Sequence, residues 1–158
     1  MRKSYVLLSL ATATLLGGAI GLHAPDLRAD EIKKEVISTT KAPEAIGPYS
    51  QAIKVGNTVY LAGQIPIDPV SKQLRADASI EDQTTLVLNN LKAVLEASGM
   101  TLDNVVATSV FMKDLGEFPK MNAVYGTFFK TAPPARATVE VARLPKDVKI
   151  EISAIAVK

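Results

Sequence analysis

Six stretches of this 158-residue sequence are typical of β-strands and two have the spacing of helices, in the order β-β-β-α-β-α-β-β. This order predicts a single α+β domain built on a six-stranded sheet. Two helices can cover one face of such a sheet, so the other face needs a different cover. Because the sequence offers no further element, we expect another copy of the chain to cover that face. The predicted strands are Glu35–Thr39, Gln51–Val55, Thr58–Ala62, Asn104–Met112, Arg136–Arg143 and Val148–Val157.

Local signals support several of these elements. Helical periodicity is clearest over Ser79–Ser98, where Ser79 is a suitable N-cap residue. A second helix is predicted over Glu117–Phe129. The pair Gly56-Asn57 separates two β-rich runs, and such a two-residue link predicts a hairpin.

The last three strands lead to two further expectations. Asn104–Met112 is apolar at both sets of alternating positions, so we expect this strand to be buried on both sides. A short turn over Leu144–Asp147 is predicted to join the final two strands.

The first 29 residues have the pattern of a secretory signal peptide. Arg2 and Lys3 precede an uncharged, largely apolar stretch of 17 residues, Val6–Leu22, and Ala29 offers a cleavage position. An uncleaved membrane anchor is the alternative, since 17 residues is the lower limit for a membrane span. We therefore expect residues 30–158 to be a periplasmic or secreted domain, with no stable membrane association once the signal is cleaved.

Composition excludes several kinds of site. Of 18 Lys and Arg and 16 Asp and Glu residues, three basic and one acidic residue lie in the first 29, so residues 30–158 hold 15 of each sign. Such a balanced domain lacks the basic surface expected of a nucleic-acid-binding protein. Cys is absent, and the single His, His23, lies in the predicted signal peptide. The domain therefore has no thiol or imidazole for a catalytic triad or zinc site, and we expect neither metal nor cofactor.

Strand alternation places two charged residues in polar stripes. Arg136 shares a strand face with Thr138 and Glu140, and Glu151 lies on the polar side of the last strand. The rigid Pro133-Pro134 loop fixes where the strand of Arg136 begins, and a planar guanidinium there suits bidentate capture of a carboxylate. A solvated face with ordinary charge pairs is the alternative interpretation.

Four blocks of sequence resemble the RidA (YjgF) family of imine deaminases. They are AIGPYSQ at Ala45–Gln51, Gly63-Gln64-Ile65-Pro66, Pro134-Ala135-Arg136, and VEVARLPKDVKIEISAIAV at Val139–Val157. The resemblance covers roughly residues 35–158. It implies a chorismate-mutase-like fold with a mixed sheet, a homotrimer, active sites in clefts between subunits, and hydrolysis of 2-imino acids to 2-oxo acids and ammonia.

The resemblance also implies roles for individual residues. Arg136 would anchor the substrate carboxylate, and Glu151 would position or activate the attacking water. The remaining implied substrate-binding residues are Tyr49, Gly63, Asn122 and Thr138. Ala62 stands where many members have Ser, which removes one hydroxyl contact, and Thr138 stands where several have Cys. Each role has a structural alternative, such as packing by Tyr49 or a structural hydrogen bond by Asn122.

Two other functions compete with imine hydrolysis. The same clefts could bind small carboxylates without catalysis. A ribonuclease or translation-inhibitor role is disfavoured by the balanced charge and by the predicted export, although export also separates the protein from cytoplasmic sources of imines.

Overall fold

The structure, a computed structural model, describes residues 33–158, so the signal peptide predicted over residues 1–29 lies outside the described residues. Within this range, no helix is long and apolar enough to cross a membrane. The strands are β1 (Lys34–Ile37), β2 (Ala52–Val55), β3 (Thr58–Gln64), β4 (Val105–Met112), β5 (Ala135–Glu140) and β6 (Ile150–Val157), and the helices are α1 (Ile80–Ala97) and α2 (Phe118–Phe128).

The six strands form one mixed sheet in the order β1-β2-β3-β6-β4-β5. All neighbouring pairs are antiparallel except β4 and β5, which are parallel. The last strand of the chain is therefore a central strand of the sheet. The predicted order of elements and the six-stranded mixed sheet are confirmed.

The hairpin turn and the helix cap predicted from the sequence are present in the structure. Gly56 has a φ of +57°, which glycine adopts without strain, and the turn it begins joins β2 to β3 as an antiparallel hairpin. The Ser79 hydroxyl accepts a hydrogen bond from the Asp82 amide at 3.1 Å and so caps α1.

Both helices pack on the same face of the sheet. Alternate residues of the central strands enter this core, including Val59 and Leu61 of β3 and Ile150 and Ile152 of β6. The helices supply the other half of the core from their buried stripes, which include Val87, Leu88, Leu91, Val94 and Leu95 of α1 and Met121 and Tyr125 of α2.

The opposite face of the sheet is uncovered within the described residues. Large apolar side chains are exposed on four of its six strands, and they are Val36 of β1, Tyr60 of β3, Ile155 of β6 and Val139 of β5. We call this surface the open face. The expectation that the strand ending at Met112 is buried on both sides is wrong for the single chain, because Val106 is exposed and Phe111 is half-buried.

The link between the last two strands is longer than predicted. β5 ends at Glu140 rather than Arg143, and the connection includes a 3-10 turn over Pro145–Asp147. These strands are not neighbours, because the crossover through α2 brings β5 back outside β4 and leaves the inner edge of β4 to β6. The Arg143 guanidinium holds the connection through a bidentate ion pair with Asp147 at 2.8 and 2.9 Å.

Candidate active site

Arg136 lies at the start of edge strand β5, on the side of the sheet that carries α2. Its guanidinium donates a hydrogen bond from Nη2 to the Asn122 Oδ1 atom at 2.8 Å. The same group lies 4.5 Å from the centroid of the Tyr125 ring and 5.5 Å from that of Phe118. Asn122, Tyr125 and Phe118 all come from α2, so this helix determines where the guanidinium sits. Arg136, these three residues and Thr138 are called the Arg136 cluster.

Thr138 lies two residues along the same face of β5. Its hydroxyl oxygen is buried and has no hydrogen-bond partner among residues 33–158. Because a buried hydroxyl is costly to leave unpaired, this atom is available to a group that enters the cluster.

Glu151 lies in a pocket of about 510 Å³ at the other side of the sheet. The walls are the loop before β2, the end of β3 and the turn before β6, which contribute Tyr49, Gly63 and Lys146 among others. Apolar side chains line much of the remainder, including Pro43, Ile46, Ile65 and Ile67. We call this cavity the Glu151 pocket.

A bulge in β3 makes room for the Glu151 carboxyl. Pairing of β3 with β6 shifts register between Leu61 and Gln64, and Gly63 lies within that bulge. A Cβ atom at residue 63 would be 2.9 Å from Glu151 Cδ, which is closer than real Cβ atoms approach, and 3.0 Å from Cγ, which is tighter than most real contacts. The absence of a side chain at Gly63 therefore leaves the space that the Glu151 carboxyl occupies.

Burial raises the pKa of Glu151 above its ordinary value. Among residues 33–158, no hydrogen bond or salt bridge holds this carboxyl. Such a carboxyl is a stronger base than a solvated one and is free to act on a water molecule in the pocket.

Tyr49 stands at the rim of the pocket and is 53% exposed. Its hydroxyl accepts a hydrogen bond from the Ile46 amide at 3.3 Å, which folds the ring back over Gly47. Gly47 has a φ of +130°, a conformation that other residues rarely adopt.

Gln51 fixes the loop that carries Tyr49. It is 3% exposed, its amide nitrogen donates to the carbonyls of Thr39 and Pro43 at 3.0 and 2.6 Å, and its oxygen accepts from the Thr39 amide at 2.6 Å. One side chain thus cross-links the wall of the pocket.

The predicted site residues form two groups rather than one. Tyr49 and Gly63 lie with Glu151, whereas Asn122 and Thr138 lie with Arg136. Two rows of paired residues explain the separation. Val139, Phe111 and Glu151 form one row on the open face, whereas Arg136, Thr108 and Ala154 form another that faces the helices.

Arg136 and Glu151 are therefore on opposite faces of the sheet and two strands apart, although the sequence placed both in polar stripes on joined strands. Alternation along a strand correctly separates Arg136 from Val139, but it does not reveal which stripe meets the helices. The polar stripe of β5 lies beside α2, and the apolar stripe faces outward.

Sequence reasoning missed three residues that shape these groups. Gln51 ends the AIGPYSQ block, but nothing in the neighbouring sequence indicates that this polar side chain is buried. Tyr125 lies within the predicted second helix, but no pattern in the sequence marks it as a contact of Arg136. Lys146 lines the Glu151 pocket from a turn in which it and Asp147 both have a φ of +57°.

Within residues 33–158, no group of three or more His, Cys, Asp or Glu side chains is arranged to hold a metal ion. The groups that remain for chemistry are a guanidinium, a half-buried carboxyl, hydroxyls and amides.

Comparison with known proteins identifies the family. A model of the family described as Endoribonuclease L-PSP matches residues 39–158, and this is the RidA family of the sequence blocks. The chain belongs to it. Among RidA-family relatives, the RutC family protein of Pyrococcus horikoshii is 56% identical over 125 residues, covering 79% of this chain and 98% of the relative.

Two further RidA-family members carry more specific descriptions. The 2-iminobutanoate/2-iminopropanoate deaminase of Escherichia coli is 47% identical over 127 residues, covering 78% of this chain and 98% of the relative. The crystal structure of Escherichia coli TdcF with bound serine superposes with a TM-score of 0.75 at 43% identity, covering 78% of this chain and 98% of that one.

Proposed function

We propose that this RidA-family protein hydrolyses 2-imino acids to 2-oxo acids and ammonia, in sites that two subunits of a homotrimer complete. The observation that carries the proposal is the separation of Arg136 from Glu151. Each group is half of a plausible site, and the open face offers the apolar surface through which copies could join. In a closed ring, Arg136 of one protomer can meet Glu151 of the next.

Substrate binding follows from the chemistry of the Arg136 cluster. The guanidinium has five N–H donors, of which one serves Asn122. Two of the others can bind the substrate carboxylate as a planar fork. This orients the imine carbon toward the Glu151 pocket of the neighbouring subunit.

Hydrolysis then requires a water molecule and a proton acceptor. Glu151 accepts a proton as the water oxygen bonds to the carbon of the protonated imine, which gives a tetrahedral amino alcohol. The same carboxyl returns the proton to nitrogen and then accepts the hydroxyl proton as the carbon–nitrogen bond breaks and the carbon–oxygen double bond forms. Ammonia takes this proton as it leaves as ammonium, which restores the ionised carboxyl. The reaction needs no redox partner, thiol or imidazole.

The description of one relative as an imine deaminase supports this activity. The serine bound to TdcF favours a second candidate function, which is binding alone. In that alternative, the same clefts bind small carboxylates without turnover. An endoribonuclease activity, which the family description names, is disfavoured because residues 30–158 carry 15 basic and 15 acidic side chains.

Substitution of Arg136 tests the proposal. With imino acids generated in situ and spontaneous hydrolysis subtracted, we expect Arg136→Ala to lower kcat/KM by about 30-fold to several thousand-fold, since a buried charge pair contributes about 2–5 kcal/mol. Arg136→Lys should be nearly as damaging, because an ammonium lacks the planar fork.

Arg75→Ala is the matched control, because Arg75 is exposed and outside both groups. Full activity in Arg136→Ala would overturn the assigned site. A wild-type protein that binds 2-oxobutanoate through Arg136 but hydrolyses no imine would establish the binding alternative.

We also propose that the protein is exported by its N-terminal segment. The family match begins at residue 39. The match to the Pyrococcus horikoshii relative covers 98% of that protein but only 79% of this chain. The N-terminal segment therefore lies outside the part that the relative shares. N-terminal sequencing of protein from fractionated cells should find the mature chain outside the cytoplasm, beginning near Asp30. Intact Met1 in the cytoplasmic fraction would contradict export.

A further inference from the structure

Tyr125 connects the Arg136 cluster to the core and has no assigned role. It is 4% exposed and lies in the C-terminal half of α2. Its ring face lies 4.5 Å from the Arg136 guanidinium carbon, within the range of a cation–π contact. Its hydroxyl is bonded to the Thr108 hydroxyl at 2.7 Å.

The Tyr125 ring is itself fixed from several sides. Thr108 is 4% exposed and is the direct partner of Arg136 in the β4–β5 pairing. Tyr125 therefore bridges two neighbouring strands, bonded to one and stacked on the side chain of the other. The Phe129 ring packs against it with centroids 4.6 Å apart. These contacts leave the ring little freedom to rotate.

A fixed ring restricts a flexible guanidinium. The arginine side chain has many rotamers, and a carboxylate fork requires one of them. The Tyr125 ring covers a face of the guanidinium while Asn122 takes one N–H from its edge, so the other edge donors keep a defined direction. Preorganisation of this kind lowers the entropy lost when a ligand binds.

We infer that Tyr125 is a positioning residue whose ring orients the Arg136 guanidinium for the carboxylate of the ligand. This inference rests on the proposed role of Arg136 as the carboxylate anchor. It adds a specific requirement, namely that carboxylate affinity depends on an aromatic face at residue 125 and less on the tyrosine hydroxyl.

The test measures binding of 2-oxobutanoate to the assembled protein by calorimetry, together with steady-state imine hydrolysis. Tyr125→Met removes the ring while filling the space, and we expect the Kd to rise by about 3- to 30-fold. KM should rise with it while kcat changes little, because the lost contact acts equally on bound substrate and transition state. Tyr125→Phe and Thr108→Val keep the ring and should stay within about threefold of wild type.

Two comparisons separate positioning from general stability. Phe128→Leu removes a ring from the same helix without a contact to Arg136 and should leave the Kd unchanged. In an Arg136→Ala background, Tyr125→Met should cause no further loss of affinity, since the two residues act through one contact. A purely structural role would lower Tm without this coupling.

The outcomes distinguish the two proposals. If Arg136→Ala binds 2-oxobutanoate like wild type, the carboxylate anchor itself is wrong. If Arg136→Ala loses binding but Tyr125→Met does not, the positioning role is wrong and the anchor stands. If Tyr125→Met does not assemble, Tyr125→Leu is measured in its place. A loss of 2-oxobutanoate affinity in Tyr125→Phe as large as that in Arg136→Ala would also overturn the inference.

Discussion

Glu151 combines half-burial with a lack of partners among residues 33–158, and this combination gives it a distinct chemical character. Other carboxylates among residues 33–158 form ion pairs, as Glu35 does with Lys54 and Asp147 does with Arg143. Pairing lowers the pKa of Asp147, whereas burial raises that of Glu151. The two effects act in opposite directions, and the second makes the ionised carboxyl of Glu151 a stronger base.

The pH dependence of kcat should report this carboxyl. Glu151 must be ionised to accept a proton from water, so kcat should fall as pH decreases through its raised pKa. In the substrate complex the bound carboxylate offsets the charge of Arg136, which leaves burial to decide the direction. We therefore expect the acid limb of the kcat profile above the ordinary range for glutamate.

The variant Glu151→Gln tests whether the acid limb of the kcat profile belongs to Glu151. It should retain 2-oxobutanoate binding, lower kcat strongly and abolish the acid limb of any residual activity. A limb that persists in Glu151→Gln belongs to another group, and a wild-type limb within the ordinary glutamate range would refute the role of burial.

At the scale of elements, the bulge in β3 determines how much room the Glu151 carboxyl has. Gly63→Ala should displace Glu151, because the new Cβ would overlap its side chain. We expect kcat to fall by about 10- to 100-fold, since displacement of a catalytic group by about 1 Å has effects of this size. The oligomeric state and the Tm should change little, because the carboxyl can swing toward the pocket.

Gly126→Ala is the matched control for this prediction. Gly126 lies in α2, and no atom lies within 4 Å of a Cβ built there. Equal losses in the two variants, or full activity in Gly63→Ala, would show that the bulge does not position Glu151.

The predictability of these elements depends on how local their causes are. The hairpin at Gly56 and the cap at Ser79 were predicted because both depend on a few adjacent residues. The position of β6 between β3 and β4 is set by pairing across the whole chain, and no local pattern specifies it. The faces of Arg136 and Glu151 follow from that pairing, so the sequence marked both as candidate site residues but did not reveal their separation.

At the scale of the whole molecule, the proposed ring makes each protomer contribute to two different sites. Arg136→Ala keeps an intact Glu151, and Glu151→Gln keeps an intact Arg136. Trimers assembled from equal amounts of both variants should therefore regain activity, with about a quarter of all sites complete under random assembly. The measurement is imine hydrolysis after the variants are refolded together.

A double variant provides the control for complementation. Arg136→Ala mixed with Arg136→Ala/Glu151→Gln contains no intact Arg136 and should remain inactive. If native mass spectrometry detects mixed trimers of the single variants but no activity returns, Arg136 and Glu151 do not meet across an interface.

The central position of β6 also determines when this chain can fold. Residues 150–157 leave the ribosome after the other five strands of the sheet, yet they join the β1–β3 half to the β4–β5 half. Neither half can complete its core before β6 is synthesised, so the sheet cannot fold in steps from its N-terminal strands. If export occurs as we propose, this delay keeps the polypeptide extended while a translocation channel can still accept it.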